Sequence, residues 1–447
     1  MKSYDVVVIG GSAAGITAAI TAKRHYPDKS VLVIRRETQT LIPCAIPYVF
    51  GELSSCAQNL IPDSVLSNNG IDLLIDNATE IDRARHIVKT EQGEEVAYAK
   101  LVLAVGSQPV VPPIPGIDKK GVYAIQKSAP YLEGMLEAMD AAKNVLIVGC
   151  GFIGVEIAEE CAARCNVNIR IVEMLRHCLQ LTYDEEFSVK AEEVLSGQGI
   201  EIFASERLNA LEGNESVQQA RFSSGTVVPT DMVILGIGAK AEVDLAKQAE
   251  LELGPLGDIQ VNRYMQTSDP DILACGDCAS KVSFYDGRPS NLKLASIATM
   301  EARVAGSNLF GLHRTSQGVI GVYSTMLGDT AFCAAGLTEV EAKSKGYHVI
   351  TGTAEALNRH PGAMPGAEML RVKLIFEAGT HVILGGQVSG ASSGGELINA
   401  IAGCIHNRMT ADDIATFQAG THPRLTASPI AYQLVDAAEL AIASNRH

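Results

Sequence analysis

Two segments of the chain repeat one succession of apolar and polar positions. Each runs from a continuous apolar stretch, through a break of small residues, into an Ala-rich amphipathic stretch and a second apolar stretch. The first covers residues 4–34, with Gly10-Gly11-Ser12-Ala13-Ala14-Gly15 at the break; the second covers 144–172, with Gly149-Cys150-Gly151-Phe152-Ile153-Gly154. The pattern predicts strand, tight turn, helix and strand in both. Small residues let a backbone approach a pyrophosphate, and the helix N-terminus adds N–H groups and partial positive charge, so both copies point to dinucleotide binding. In the second copy the turn is a full G-x-G-x-x-G, and Glu173 ends the next strand 24 residues after Gly149. An acid there accepts from a ribose 2′-OH and repels a 2′-phosphate, which favours NADH over NADPH. Arg176, three residues on, leaves the phosphorylated form open. The first copy carries Ser12 at the middle Gly position and Arg35-Arg36-Glu37 where an acid normally closes the second strand, so its ribose contact is expected to pass to Glu37.

Between the copies, Leu101-Val102-Leu103-Ala104-Val105-Gly106-Ser107 reads as a buried strand ending in a small-residue turn. Pro109, Pro112, Pro113 and Pro115 then mark a crossing between domains. Met232-Val233-Ile234-Leu235-Gly236-Ile237-Gly238 closes the second copy in the same way, and residues 267–277 end a short apolar strand on Gly276-Asp277. From about Gly321 the chain turns to alternating strands at 370–376 and 382–388, followed by helical patterns at 396–407 and 411–417. That change predicts a separate α+β domain, with one sheet face left for a helix layer or a second subunit. The expected class is α/β, with two Rossmann-like dinucleotide-binding domains and a C-terminal α+β domain.

Charge and cysteines narrow the function. The 447 residues carry 36 Lys+Arg against 51 Asp+Glu, a formal net charge of −15. Such a field repels nucleic acid and anionic membranes as main partners. The start, Met1-Lys2-Ser3-Tyr4-Asp5, runs straight into a strand rather than a signal peptide, and no apolar run reaches the roughly 18 residues of a spanning helix. A cytoplasmic protein is expected. Ten cysteines in so long a chain do not make a disulfide framework, and in a reducing compartment most should be buried thiols. No metal site is expected.

With the two turns in place, the run Leu41-Ile42-Pro43-Cys44-Ala45-Ile46-Pro47-Tyr48, with one cysteine and no close second, resembles the single-cysteine branch of the pyridine nucleotide-disulfide oxidoreductases. That branch holds coenzyme A-disulfide reductases, NADH oxidases and peroxidases, and persulfide or polysulfide reductases. The resemblance covers essentially the whole chain. It implies an FAD domain at residues 1–112 and 241–320, an NAD(P)H domain at 113–240 and a homodimerisation domain at 321–447. It implies that Gly10, Ser12, Ala13, Gly15, Glu37, Ser107, Asp277 and Ala295 contact FAD, with Asp277 on the ribityl chain. Gly149, Gly151, Phe152, Ile153, Gly154, Glu156, Glu173 and Gly238 would serve NAD(P)H, with Glu156 near the nicotinamide.

Cys44 carries the expected chemistry. It lies where a helix should begin, and a helix N-terminus would favour the thiolate that attacks a disulfide or sulfane sulfur. Cys275 and Cys278 overlap the Gly-Asp element, Cys161 and Cys165 share a helix face, and Cys56 lies 12 residues beyond Cys44; all are read as packing. In coenzyme A-disulfide reductases a Thr and an Arg on the first helix hold CoA, and Thr17 and Arg24 match them here, with Thr40 and Tyr48 as further substrate contacts. Pro43 stands where those enzymes usually have Asn. Their two C-terminal tyrosines are replaced by Arg359-His360-Pro361-Gly362 and Gly420-Thr421-His422-Pro423. His422 or His360 of a partner subunit is therefore expected to protonate the leaving thiolate.

The resulting expectation is an FAD-dependent, NADH-favouring enzyme that reduces a disulfide, persulfide or polysulfide through Cys44, with CoA as a candidate ligand. No C-terminal extension long enough for a rhodanese module is expected, and so no sulfur delivery in cis. The rivals are an NADH oxidase or peroxidase cycling Cys44 through a sulfenic acid, an electron-transfer reductase serving a protein, and a flavin-bound redox sensor.

Overall fold

Val6, Val7, Val8 and Ile9 are all buried, although neighbouring side chains of a strand point to opposite faces. Their strand, Lys2–Ile9, therefore has cover on both sides, as parallel sheets require. In the computed structural model, which describes residues 1–164 and 167–444, it sits inside a parallel array. Val31–Arg35 pairs on one side and Glu95–Leu103 on the other, with Asp72–Ile75 and Ile272–Ala274 outside them. An antiparallel extension, Ile87–Thr90 and Ala78–Asp82, continues from Glu95–Leu103. Helix Ala13–His25 packs against helix Ala295–Ser307. The approach is close enough that a Cβ on Gly306 would lie 2.6 Å from the Ala18 carbonyl oxygen.

These elements belong to a compact unit of Met1–Pro112, Tyr123–Ala141 and Ile237–Val319. The chain leaves it in the proline-rich run. Residues 123–141 group with this unit, whereas the sequence reading set them in the second domain. Helix Ala129–Ala141 meets the turn Cys56–Asn59, where the Cys56 amide donates to Glu133 Oε1 at 3.0 Å.

The other unit comprises Pro113–Val122, Ala142–Gly236 and Ile320–His447. Its second nucleotide-type sheet sets Asn144–Val148 between Met232–Leu235 and Asn168–Val172, all parallel, with Glu201–Phe203 beyond the last. Its C-terminal sheet is antiparallel in the order Val322–Leu327, Thr330–Gly336, Ile383–Gly390, Met369–Glu377, Val349–Leu357. Helix Gly394–His406 covers part of this sheet and helix Gln433–Ser444 another part. A Cβ on Gly352 would lie 1.9 Å from the Ala437 carbonyl oxygen, so only Gly fits beneath that second helix. Among the described residues no helix is long and apolar enough to cross a membrane.

Candidate active site

The first glycine-rich turn is built by backbone contact. Gly10 adopts φ +115°, in the left-handed region, and its amide donates to the Ile34 carbonyl at 2.8 Å. A Cβ on Gly15 would lie 1.8 Å from the Gly10 carbonyl oxygen, so the helix must start with Gly there. Ser12, at the N-cap, makes no side-chain cap, so its hydroxyl does not occupy the helix's first N–H groups. At the end of the second strand, where an acid normally stands, the Arg35 guanidinium turns inward. It donates to the Glu37 and Thr38 carbonyls at 2.8 and 3.0 Å and to both Asp63 oxygens at 2.6 and 2.9 Å. Glu37 pairs with Arg36 at 2.7 Å.

The Gly276-Asp277 element comes to the same place. Gly276 has φ +81°, and a Cβ there would lie 2.9 Å from Ala14 Cβ, which sets the turn against the start of the first helix. Ser107 donates to Asp277 Oδ2 at 2.7 Å, and Lys127 lies 3.6 Å from the same oxygen. Behind the turn Glu301 Oε2 accepts from the Gly276 amide at 2.9 Å, while Lys281 donates to the Gly276 and Ala279 carbonyls at 2.7 and 2.9 Å. Burial pushes the Glu301 carboxyl up to about 7, against the lowering effect of Lys281. Lys127, Lys281, Glu301 and Asp63 carried no local signal in the sequence. The shape fits a flavin dinucleotide: a glycine cradle at the pyrophosphate position, an uncapped helix start and a fixed carboxylate at Asp277.

Cys44 is exposed. It sits in the 3₁₀ turn Pro43–Ala45, followed by another at Pro47–Phe50. No α-helix begins here, contrary to the sequence reading, because Pro47 lacks the N–H that would bond the Pro43 carbonyl and its ring crowds that carbonyl. Cys44 is thus the second residue of a 3₁₀ turn and does not sit at an α-helix N-terminus. The segment is held instead by tertiary bonds: Thr40 Oγ1 donates to the Gly11 carbonyl at 3.1 Å, and Asn59 Nδ2 to the Ile42 carbonyl at 3.2 Å. Thr40 therefore ties the Cys44 loop to the first nucleotide turn. Tyr48 is half-buried, and Thr17 and Arg24 lie seven residues apart on one helix face, Arg24 exposed. Cys56 is buried, and burial with the Glu133 carboxylate pushes its thiol up to about 12, which opposes a resolving role. Burial likewise raises the thiols of Cys275 and Cys278. Cys161 is buried too, and Cys165 lies outside the described residues.

The second turn repeats the first. Gly149 has φ +98°, its amide donates to the Val172 carbonyl at 2.9 Å, and a Cβ on Gly154 would lie 2.0 Å from the Gly149 carbonyl oxygen. Around Gly151 a Cβ would meet nothing within 4 Å, so the backbone there is open to a ligand. Phe152 stacks on Tyr323 with ring centroids 5.1 Å apart, and Ile153 is exposed. Glu173 accepts from the Cys150 and Leu175 amides at 2.7 and 2.8 Å, so the predicted ribose acid is fixed at the turn's edge. Glu156 accepts from Thr325 Oγ1 at 2.8 Å, and burial pushes its carboxyl up to about 7. The sequence reading did not foresee a disulfide, yet Cys150 and Cys178 are joined.

In the C-terminal region two loops distant in sequence are stitched together. The His360 amide donates to the Pro423 carbonyl at 3.2 Å, and His360 Nδ1 lies 3.1 Å from the Thr426 carbonyl oxygen. The His422 amide donates to Thr426 Oγ1 at 3.0 Å, and His422 Nδ1 faces the Arg424 amide at 3.3 Å. A carbonyl can only accept, so His360 carries its proton on Nδ1; an amide can only donate, so neutral His422 carries its proton on Nε2. His422 is exposed and His360 half-buried.

Known proteins share these features. The family described as pyridine nucleotide-disulphide oxidoreductase matches residues 4–302, and its dimerisation domain matches 322–430. An NADH oxidase of Methanocaldococcus jannaschii is 30% identical over 92% of this chain and 93% of its own. An NAD(P)H coenzyme A polysulfide/persulfide reductase of Pyrococcus horikoshii is 34% identical over 86% of this chain and 87% of its own. The solved NAD-dependent persulfide reductase from A. fulgidus superposes with a TM-score of 0.91 at 30% identity, covering 99% of this chain and 83% of that one.

Proposed function

Because the chain belongs to the pyridine nucleotide-disulphide oxidoreductase family, whose members use FAD and NAD(P)H, we propose that it reduces a sulfur–sulfur bond of a small molecule through Cys44. The observation that carries the proposal is an exposed cysteine on a loop bonded directly to the first nucleotide turn. FAD, held by Gly10, Ser12, Ala13, Gly15, Ser107, Asp277 and Ala295, supplies two-electron transfer between nicotinamide and sulfur when bound. Gly149, Gly151, Phe152, Ile153, Gly154, Glu156, Glu173 and Gly238 take NAD(P)H, with Glu173 selecting NADH. The chain divides into an FAD domain, an NAD(P)H domain and a C-terminal domain that builds a homodimer.

In this reading the Cys44 thiolate attacks one sulfur of the substrate and the other sulfur leaves. His422 of the partner subunit, exposed to solvent, protonates it as an imidazolium and returns to the neutral ring; His360, with Nδ1 committed to a carbonyl, orients the loop. Thr17 and Arg24 offer a hydroxyl and a guanidinium to a phosphate-bearing thiol, so CoA disulfide or CoA persulfide is the preferred substrate class. A second reading, an NADH oxidase or peroxidase, is favoured by the 30% identity to the archaeal NADH oxidase and by the burial of Cys56, which opposes its acting as a resolving thiol for an oxidised Cys44.

Anaerobic NADH oxidation with CoA disulfide or polysulfide, compared with aerobic oxidation without either, separates the two. Fast anaerobic turnover that disappears in Cys44→Ser supports sulfur reduction. Turnover with oxygen alone, lost in the same variant, supports the oxidase reading.

A further inference from the structure

We propose that Cys150 and Cys178 form a second thiol–disulfide centre, separate from Cys44, whose oxidant is a low-molecular-weight disulfide and whose oxidised form holds the nucleotide turn in its binding shape. The inference rests on assigning residues 149–154 to NAD(P)H. Cys150 is the second residue of that turn, and Cys178 lies 28 positions further along, with Cα atoms 4.8 Å apart. The two segments are joined twice more. The Leu179 amide donates to the Cys150 carbonyl at 2.8 Å, and the Cys150 amide donates to Glu173 Oε2 at 2.7 Å.

The disulfide therefore staples the turn that approaches a pyrophosphate to the segment that follows the ribose acid. Leu179 has φ +58°, a left-handed conformation that a leucine adopts only when its surroundings impose it. The Cys178 amide is fixed from the other side by Glu192 Oε1 at 2.7 Å. Release of the sulfur link removes the one covalent restraint that keeps this conformation beside the turn.

Both sulfurs are buried, while Met174 and Leu181, four residues before and three residues after Cys178 in the chain, are 68% and 82% exposed. A short local opening of residues 174–182 brings the pair to solvent without unfolding the sheet. Oxidation then balances as thiol–disulfide exchange. One cysteine thiolate attacks R–S–S–R, forming a mixed disulfide and expelling one thiolate; the other cysteine attacks the mixed disulfide at the protein sulfur and expels the second. Two electrons pass to the oxidant, and the two cysteine protons end on two RSH molecules. If small disulfides are also the substrate, their accumulation closes the staple and preorganises the nucleotide turn, so the enzyme binds reductant best when its substrate is abundant.

The test uses FAD-loaded Cys44→Ser protein, which silences the other thiol site, and the same protein with Cys178→Ala added. Each is equilibrated anaerobically with glutathione disulfide or with dithiothreitol and freed of it. Denaturing alkylation followed by intact mass counts the thiols, and NADH titration follows flavin bleaching with no acceptor present. The proposal expects two fewer alkylated thiols in disulfide-treated Cys44→Ser, with half-saturation at an NADH concentration lower by about threefold or more. The added Cys178→Ala should make the two treatments equivalent. Equal thiol counts, or equal half-saturation despite different counts, overturns the proposal alone; because both states are compared within Cys44→Ser itself, this holds even if the double variant does not fold. Absence of bleaching in both states overturns the nucleotide assignment and the proposal with it.

Discussion

Replacing Glu156 by Gln asks whether the acid behind the second turn is as poorly solvated as its position implies. The Gln amide keeps an oxygen for the Thr325 hydroxyl, now 2.8 Å away, but cannot ionise. Burial raises the Glu156 carboxyl from an ordinary 4.5 to about 7, and the neighbouring Glu159 and Glu160 push the same way. The sign follows from linkage. A carboxyl with a raised folded-state pKa binds its proton more tightly folded than unfolded, so stability falls as pH rises from about 4.5 to 7 and levels off above. Between pH 5 and pH 8 these two values give a loss of roughly 2–3 kcal/mol in the wild type that the Gln variant does not suffer. Chemical denaturation followed by circular dichroism at pH 5, 6, 7 and 8 measures the gap between the two proteins. The variant should gain on the wild type through pH 5–7 and hold its lead at pH 8. A gap constant across this range would refute a buried, raised Glu156, and with it the idea of a poised acid beside the nicotinamide position.

Three further outcomes are expected. Asp63→Ala leaves the buried Arg35 guanidinium with two carbonyls only, and should cost roughly 2 kcal/mol and weaken FAD retention, read by thermal melting and by flavin released on gel filtration. Gly154→Ala drives a methyl to 2.0 Å from the Gly149 carbonyl, so the NADH concentration for half-maximal flavin bleaching should rise roughly tenfold or more while bound FAD stays stoichiometric. His422→Asn should lower turnover with a disulfide substrate by about a hundredfold and leave the rate of flavin bleaching by NADH unchanged; an equal fall in both would remove His422 from proton transfer.

Both nucleotide turns were legible because their signal is local. Strand, small-residue turn and helix lie within 30 residues of chain, and Gly10, Gly15, Gly149 and Gly154 are required by backbone contacts visible as spacing. Cys44 was legible as an isolated cysteine in a proline-flanked run, but the same prolines, Pro43 and Pro47, break the helix that its position suggested. What stayed hidden depends on long loops. Lys127 meets Asp277 across 150 positions, Asp63 meets Arg35 across 28, and the His360 and His422 loops close over more than 60. Spacing carries no trace of such pairings. Cys150 illustrates the limit: nothing in the glycine motif around it marks it as half of a pair, and only the return of the chain at Cys178 gives it a partner.

The two turns answer one structural question with opposite charges. Gly10 donates to the Ile34 carbonyl at 2.8 Å and Gly149 to the Val172 carbonyl at 2.9 Å, so the residues that follow, Arg35 and Glu173, occupy equivalent positions, as do Gly11 and Cys150. In the second turn the carboxylate of Glu173 accepts the Cys150 amide directly, at 2.7 Å, and retains lone pairs for a ribose. In the first turn a cation cannot accept an amide, and the Arg35 stem packs under Gly11, where a Cβ would lie 2.6 Å from Cδ. Its charge is spent on Asp63 and two carbonyls, so the Arg35 guanidinium is not turned toward a ligand phosphate. On the proposed assignment, one turn keeps a hydrogen-bonding acid for a cofactor that must come and go each cycle. The other replaces it with a buried guanidinium paired to an exposed carboxylate, which ties the loop down and, on the same assignment, suits a cofactor that stays.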